Sequence, residues 1–266
     1  IAHAGDTLPV TFVRSKRARR ASLRVDAARR RIVLTAPLRM ARGTAVGFAE
    51  AQAGWIAARL KRLPAPRPFV DGVELPLFGL GGAPLGDLFV KVSDSDAEAV
   101  LQAAWDEGVR YYDTAPWYGR GQSEHRFGRF LYRRPRREFV LSTKVGRVLR
   151  APRDPARFDQ GFWSGGLQFD HVFDYGYDAI MRAYEDCLQR LGMNRIDLLV
   201  IHDLDFWHHA TEPKVAAYLG QLIGGGWRAL EELRSGGQIR AIGAGINELG
   251  MMPRFLDLFD IDFFLL

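Results

Sequence analysis

Cysteine is almost absent from this chain of 266 residues, and no apolar run is long enough to cross a membrane. The single Cys187 excludes an internal disulfide, and its helical surroundings favour a packed thiol over a nucleophile. A bilayer span needs about 20 apolar residues, and the stretch after Ile1 lacks the charged-then-apolar order of a signal peptide. We therefore expect a cytoplasmic globular protein with no membrane contact.

Acidic residues are scarce in the first quarter of the chain. Residues 1–68 contain 15 Lys/Arg and 3 Asp/Glu, whereas residues 69–266 contain 22 and 28. Such an asymmetry indicates two units of different origin, and the proline-rich stretch at residues 63–69 is typical of the junction between them. The sequence therefore predicts a basic N-terminal segment over residues 1–70 and a larger domain over 71–266.

The N-terminal segment has short apolar runs at residues 8–13, 21–25 and 31–36, which predict a small antiparallel β-meander. Apolar residues at helical spacing then predict one helix from Ala41 to Leu63. Nine basic residues of this segment form either a solvated face or an electrostatic footprint for a polyanion. Because aromatic residues are not interleaved with them, we expect no specific nucleic-acid site. The nine residues are Arg14, Lys16, Arg17, Arg19, Arg20, Arg24, Arg29, Arg30 and Arg31.

Residues 8–79 also carry a resemblance to the amino-terminal part of YgjP-like zinc metallopeptidases. It rests on Arg-Ala-Arg-Arg-Ala-Ser-Leu-Arg-Val-Asp, Ile-Val-Leu-Thr-Ala-Pro, Ala-Gly-Trp-Ile-Ala-Ala-Arg-Leu and Phe-Val-Asp-Gly-Val-Glu-Leu-Pro-Leu-Phe-Gly. That family binds zinc through a later His-Glu-x-x-His helix. This chain has no such motif, so we expect neither a metal site nor peptidase activity.

From residue 75 onward, short apolar runs alternate with helical patterns, which is the sign of β/α units around a parallel sheet. Four helices are predicted: from Ser93 to Gly108, over 121–131, from Tyr177 to Leu191, and a fourth whose end runs from Trp227 to Arg234. Six strands are predicted, at Leu75–Leu80, Arg110–Asp113, Phe139–Thr143, Asp197–His202, Ile239–Ala244 and Asp262–Leu266. The glycine-rich run 79–86 has the wrong spacing for a dinucleotide fingerprint, and a strand-end turn at the mouth of a barrel is the simpler interpretation.

Four polar, titratable side chains stand at or just beyond the ends of these strands: Asp113, Tyr118, Lys144 and His202. The carboxyl ends of the strands are where a parallel β/α barrel carries its active site. A single Asp, Lys or His in such a place is more often an ion pair or a structural residue. The repetition at successive strands indicates an enzyme.

The barrel region resembles the aldo-keto reductase superfamily over about residues 75–266. The motifs are Gly-Leu-Gly-Gly-Ala-Pro-Leu-Gly, Tyr-Asp-Thr-Ala-Pro-Trp-Tyr-Gly, Gly-Gln-Ser-Glu-His-Arg-Phe-Gly, Ser-Thr-Lys-Val-Gly-Arg, Leu-Gln-Arg-Leu-Gly-Met-Asn-Arg-Ile-Asp and Ile-His-Asp. The resemblance implies an α/β fold, a (β/α)8 TIM barrel, that binds NADP or NAD without a Rossmann domain. It implies that Tyr118 carries the proton, Lys144 favours the phenolate, Asp113 holds Lys144, and His202 orients the substrate oxygen.

The same resemblance implies cofactor contacts at Gly82, Asp113 and Asn247, although Gly245 replaces the usual serine and Asn247 comes one position late. The alternative role of Asn247 is to cap a loop. Further motifs, including Phe-Trp-Ser-Gly-Gly around Trp163, resemble the branch that contains D-threo-aldose 1-dehydrogenase (L-fucose dehydrogenase) and pyridoxal 4-dehydrogenase. That branch implies a small-molecule aldose or aldehyde substrate, with hydride leaving C1 of a cyclic hemiacetal. Trp117 is either a wall of the substrate pocket or a core aromatic residue.

The chain ends at a stretch that matches the sixth strand of such a barrel. We therefore expect a barrel truncated after strand six, joined to the N-terminal segment as a chimera of two partial domains. Two functions follow: an NAD(P)-dependent oxidoreductase, or a catalytically silent fusion whose basic arm binds polyanions or a partner. The choice between NAD and NADP and the oligomeric state stay open.

Overall fold

The chain divides into two compact units. The first contains the described residues up to Arg62, and the second contains those from Phe78 onward. The computed structural model describes residues 1–3, 6–8, 10–16, 18–26, 31–62 and 78–266. The predicted junction at residues 63–69 lies outside these ranges, as do residues 75–77 of the first predicted barrel strand. Within the described ranges, no helix combines the length and the apolar character needed to cross a bilayer.

The first unit is built from short strands and two helices. Its strands are β1 (Ala2–His3), β2 (Asp6–Thr7), β3 (Val10–Ser15), β4 (Ser22–Asp26) and β5 (Arg31–Pro37), followed by α1 (Arg42–Ala51) and α2 (Ala53–Arg62). Apolar side chains of β5 and of both helices form its core, among them Ile32, Leu34, Ala45 and Ile56. The resemblance of this region to metallopeptidases stays a prediction.

The predicted antiparallel meander was wrong, although its three strands exist. β5 lies between β3 and β4, and it pairs parallel with β3 and antiparallel with β4. Ile32, Leu34 and Ala36 make β5 the most deeply buried of the three strands. A strand of that composition is stabilised by neighbours on both sides, whereas charged residues suit the edges of a sheet. Chain order therefore does not give strand order here.

The single helix predicted from Ala41 to Leu63 is divided in two. Gln52 leaves helical geometry at φ −105° and ψ 13°, and its backbone N–H donates to the carbonyls of Ala49 and Glu50. The break ends α1 and re-aims α2, so that Ala49 and Ile56 both reach the same core. The apolar spacing predicted the buried face but not the interruption.

The second unit is a parallel β/α structure. A six-stranded sheet holds β6 (Gly79–Gly81), β7 (Tyr111–Asp113), β8 (Val140–Val145), β11 (Leu198–His202), β12 (Ala241–Gly245) and β13 (Phe263–Leu265), paired in that order. Every neighbouring pair is parallel. Consecutive parallel strands joined by helices are the arrangement of a (β/α)8 barrel. The predicted fold class is confirmed for these six strands.

Seven α-helices lie in the described part of this unit, and four of them were predicted from the sequence. The seven are α3 (Asp94–Asp106), α4 (Gln122–Leu131), α5 (Tyr177–Leu191), α6 (Phe206–His209), α7 (Glu212–Gln221), α8 (Trp227–Ser235) and α9 (Met252–Leu258), with a π-helical turn at Leu222–Gly226 before α8. Ser93 caps α3 by accepting the N–H of Asp96 at 3.1 Å. Gly192 ends α5 in the left-handed region at φ 62°, as expected for a C-terminal glycine.

One hairpin was not predicted from the sequence. β9 (Arg147–Arg150) and β10 (Asp170–Phe173) pair antiparallel outside the main sheet. β9 directly follows β8 in the chain, separated only by Gly146 in the left-handed region at φ 100°. The hairpin therefore places its own side chains beside the carboxyl end of β8.

Close packing of α4 on the end of α5 yields a test of this core. A methyl group at Gly128 would overlap the backbone of Leu191, whose Cα lies 2.8 Å from the position of the added carbon. We expect Gly128→Ala to lower the free energy of unfolding by about 1–3 kcal/mol, measured by chemical denaturation.

Gly220→Ala is the matched control, because a methyl group at this position in α7 meets nothing within 4 Å. It should leave stability unchanged or raise it by up to about 1 kcal/mol, since alanine favours the helix. Equal losses in the two variants would contradict the packing described for α4 and α5.

Candidate active site

The structure brings together the four side chains that the sequence singled out at the strand ends. Lys144 Nζ lies 2.6 Å from Asp113 Oδ2, and it lies 4.7 Å from the centre of the Tyr118 ring. The ring of Tyr118 meets that of His202 edge-on, with 5.8 Å between their centres. Because β7, β8 and β11 are parallel and adjacent, their carboxyl ends place these groups at one edge.

Lys144 is a buried ammonium held by two oxygen atoms. Its side chain is 2% exposed, and besides Asp113 it donates to the carbonyl of Thr114 at 2.8 Å. Asp113 is held in turn by Ser142, which donates to its second oxygen at 2.5 Å. Burial opposes the charge, but the Asp113 carboxylate and Tyr118 together raise the pKa of Lys144 above its usual value. Lys144 therefore keeps its proton.

Tyr118 follows β7 in a 3-10 turn over Tyr118–Gly121. Burial raises the pKa of its phenol above 10, and the nearby Lys144 ammonium opposes that rise without cancelling it. The expected influence of Lys144 is present, yet the loss of hydration is the larger effect. The phenol therefore holds its proton at neutral pH.

His202 ends β11 with its imidazole enclosed by the protein. Burial, together with the charges of Lys144 and Arg147, holds the pKa of His202 well below its usual value. Its Nδ1 has no hydrogen-bond partner among the described residues, and its Nε2 lies 3.3 Å from Asp203 Oδ2. A neutral imidazole carries a single N–H, on either Nδ1 or Nε2.

Trp117 and Trp163 stand beside the phenol. Trp163 is 2% exposed, and its ring centre lies 6.2 Å from that of Tyr118 and 5.7 Å from that of Trp117. Trp117 is half-buried and packs against His171 at 4.3 Å. The two indoles form an aromatic wall next to Tyr118, so Trp117 faces the site instead of the main core.

Gly82 and Asn247 were predicted as cofactor contacts, and that role stays a prediction. The structure shows one of them buried and the other exposed. Gly82 is buried, donates its N–H to the carbonyl of Asp113 at 2.8 Å, and has no room for a side chain because Ser123 and Phe127 lie within 2.7 Å of the position of a Cβ. It supports the strand end from inside. Asn247 is exposed, and both its backbone N–H and its Nδ2 donate to Asp205 Oδ2, at 2.8 and 3.1 Å.

Two charged residues at this edge were not predicted from the sequence. Arg147 begins the hairpin β9–β10, and its guanidinium donates to Asp203 Oδ2 through Nε at 3.0 Å and Nη2 at 2.6 Å. Arg147 is 4% exposed and Asp203 is 6% exposed. The sequence carried one signal for this pair. Opposite charges stand just after two strands whose ends meet, in Lys-Val-Gly-Arg and in Ile-His-Asp.

A carboxylate and histidine cluster adjoins this pair. In the described part of the chain, Asp203, Asp205 and His208 are the one set of metal-binding residue types with ligand atoms within 4.8 Å of one another. Arg147 and Asn247 already donate to the two carboxylates, and His208 Nδ1 lies 2.9 Å from Asp205. These residues form a network of ion pairs and hydrogen bonds within the chain.

Known proteins share both the sequence and the fold of this region. Pyridoxal 4-dehydrogenase of Microbacterium luteolum is 44% identical over 202 residues, which cover 72% of this chain and 58% of that protein. D-threo-aldose 1-dehydrogenase of a Pseudomonas species is 39% identical over 207 residues, covering 74% of this chain and 58% of that protein. The chain thus spans less than two thirds of the length of these relatives.

Solved structures agree with the sequence relatives. A glycerol dehydrogenase from Gluconobacter oxydans superposes with a TM-score of 0.50 at 27% identity, covering 70% of this chain and 49% of that one. A holo aldo-keto reductase from Bacillus halodurans has the same TM-score and identity, with 69% of this chain and 50% of that one covered. The model of the Aldo/keto reductase family matches residues 78–259. Since that match covers more than half of the sequence, the chain belongs to the aldo/keto reductase family.

Proposed function

We propose that the chain carries the catalytic centre of an NAD(P)-dependent oxidoreductase that transfers hydride between nicotinamide and an aldose hemiacetal or an aldehyde. The observation that carries this proposal is the assembled tetrad. The buried Lys144–Asp113 ion pair, at 2.6 Å, lies against the ring of Tyr118, and His202 faces the same ring. A phenol between a cation and a neutral imidazole suits proton exchange with a carbonyl or hydroxyl oxygen.

The residues divide the proton work among them. In reduction, Tyr118 donates its proton to the carbonyl oxygen as that oxygen gains negative charge, and in oxidation it accepts the hydroxyl proton. Lys144 lies 4.7 Å from the ring centre and stabilises the phenolate that forms when the proton leaves. The single N–H of His202 donates to the substrate oxygen and fixes its orientation.

NADP or NAD, when bound, supplies or accepts the hydride. Asn247 fits a carboxamide, because its Nδ2 is engaged by Asp205 at 3.1 Å and its Oδ1 is left to accept an N–H. Gly82 does not fit a direct contact, since its N–H donates to the carbonyl of Asp113 and its own carbonyl accepts from Ser123 Oγ, both at 2.8 Å. We therefore assign Asn247 to the nicotinamide side and give Gly82 an indirect role, the support of Asp113.

The proposed substrate class rests on the aromatic wall and on the relatives. Trp117 is half-buried and packs on the buried Trp163, which lies beside Tyr118, and an indole face packs well on the C–H face of a sugar ring or on a flat heteroaromatic ring. The two relatives with the stated identities are named for pyridoxal and for D-threo-aldoses. The comparisons give no support to the alternative of a catalytically silent fusion.

Removal of the phenolic oxygen tests the proposal directly. We expect Tyr118→Phe to lower kcat for aldose or pyridoxal oxidation by about 10²–10⁴-fold, because the proton acceptor is lost while the ring remains. The measurement is formation of reduced nicotinamide by the purified chain with L-fucose, D-arabinose or pyridoxal. Tyr132→Phe, at a residue 60% exposed after α4, is the control and should keep full activity. Equal rates in both variants would contradict the role of Tyr118.

The raised pKa of Tyr118 gives the reaction a pH dependence of known sign. Oxidation needs the phenolate, so its single-turnover rate should rise by about tenfold per pH unit between pH 7 and 9. Reduction needs the protonated phenol, so its rate should stay flat over the same range. An oxidation rate that is already at a plateau at pH 7 would contradict a protonated Tyr118.

Cofactor binding is testable without turnover. A ligand that binds only the native state raises the melting temperature, so we expect NAD(H) or NADP(H) to shift a cooperative thermal transition of the 266-residue chain. The cofactor with the larger shift at equal concentration is the preferred one. A transition that is indifferent to both would mean that these residues do not form a cofactor site in this chain.

A further inference from the structure

Two side chains, Arg147 and His202, compete for the carboxylate of Asp203. Its Oδ2 accepts from Arg147 Nε at 3.0 Å and from Arg147 Nη2 at 2.6 Å. The same oxygen lies 3.3 Å from His202 Nε2 and 3.6 Å from His208 Nε2. The guanidinium therefore holds the best geometry on that oxygen, and the imidazole of His202 is kept at the margin of hydrogen-bond distance.

Asp203 is fixed in this place by its backbone. Its φ of 56° lies in the left-handed region, where non-glycine residues are uncommon. Its N–H donates to the carbonyl of Gly245 at 2.8 Å, which ties the end of β11 to the end of β12. Such a conformation persists only where the surrounding structure determines it. The backbone of Asp203 therefore holds its carboxylate next to Arg147 and His202.

Arg147 is equally constrained. Its guanidinium carbon lies 4.5 Å from the ring centre of Trp117 and 4.3 Å from that of Phe173. Its Nη1 lies 3.0 Å from His171 Nε2, and burial with nearby cations lowers the pKa of His171 to about 4, so that imidazole accepts the N–H. A side chain held by two rings, one imidazole and one carboxylate does not swing out of the site.

We propose that Arg147 is a positioning residue that engages Asp203 and thereby leaves the N–H of His202 available to the substrate oxygen. This rests on the proposed function, since it assigns a partner to the residue that orients the substrate. Without the guanidinium, Asp203 Oδ2 becomes the nearest acceptor for that N–H, and the imidazole turns from the substrate to the carboxylate. Through its contact with Trp117, Arg147 also couples the aromatic wall to the same carboxylate.

The charge balance around His202 sets the sign of the effect. Arg147 and Lys144 disfavour a proton on His202, whereas Asp203 favours one. Loss of Arg147 removes a cation and exposes an anion, so both changes promote protonation of His202. The titratable or charged groups that surround this imidazole are Tyr118, Lys144, Arg147, His171, Asp203 and His208.

The test is Arg147→Met, which keeps much of the side-chain length and removes the charge and the fork of donors. The NMR signal of the His202 ring, assigned by its loss in His202→Asn, is followed against pH without cofactor or substrate. We expect its midpoint to move upward into the range of about pH 5–8 where histidine ordinarily titrates. We also expect kcat to fall by up to about a hundredfold with a smaller change in KM, because a donor to the reacting oxygen is lost.

Two further variants separate this role from general packing. Arg150→Met removes a cation from the same strand, β9, at an exposed residue paired with Asp170 at 3.3 Å, and it should leave both readouts unchanged. Arg147→Met combined with Asp203→Asn removes the competing carboxylate, so the His202 midpoint should return toward the wild-type position. If Arg147→Met does not fold, Arg147→Lys retains the charge without the fork, and a smaller upward shift is expected.

An unchanged His202 titration in Arg147→Met, or in Arg147→Lys where only that variant folds, would overturn the proposal. So would an upward shift that the added Asp203→Asn change fails to reverse. Because the titration needs no turnover, its outcome stands apart from the activity of the chain. A shifted titration in a chain without any oxidoreductase activity would count against the proposed function and not against the Arg147–Asp203 competition.

Discussion

The buried ion pair between Lys144 and Asp113 is the interaction on which the candidate active site depends. An ammonium that is 2% exposed would lose its proton unless a carboxylate compensated for the lost hydration. Asp113 does so at 2.6 Å, while Ser142 donates to the other oxygen of Asp113 and the carbonyl of Thr114 accepts a second N–H of Lys144. The pair ties β7 to β8 at their carboxyl ends, and Tyr118 follows β7 by one turn. Removing either partner would leave a buried charge alone, which costs more than the pair contributes.

Much of this arrangement follows from local sequence. Strand ends at Asp113 and His202 are visible because an apolar run stops at a polar residue, and Lys144 stands one position before the end of β8. Ser93 and Gly192 announce helix ends through the chemistry of their caps. These features depend on a few neighbouring residues, so reading the sequence captures them.

Other features depend on contacts between residues that are far apart in the chain, which local sequence does not reveal. The strand order around β5 is set by burial from two sides, and the break at Gln52 is set by the need of both helices to reach one core. Gly82 matched a motif for a cofactor contact, yet its close neighbours are Ser123, Phe127 and Asp113 of the chain itself. The Arg147–Asp203 pair joins residues 56 positions apart, and only the meeting of β8, β9 and β11 at one edge brings the two charges together.

The charges of this edge support the proposal that one side chain exchanges the proton. Lys144 is held as a cation by Asp113, Arg147 is paired with Asp203, and Asp205 is engaged by His208 and Asn247. His202 is neutral because burial and the surrounding cations oppose its charge. The phenol of Tyr118 keeps its proton through burial, with Lys144 close enough to stabilise the phenolate once that proton is transferred. In the proposed reaction, proton exchange with a bound oxygen therefore falls to Tyr118, and His202 orients that oxygen.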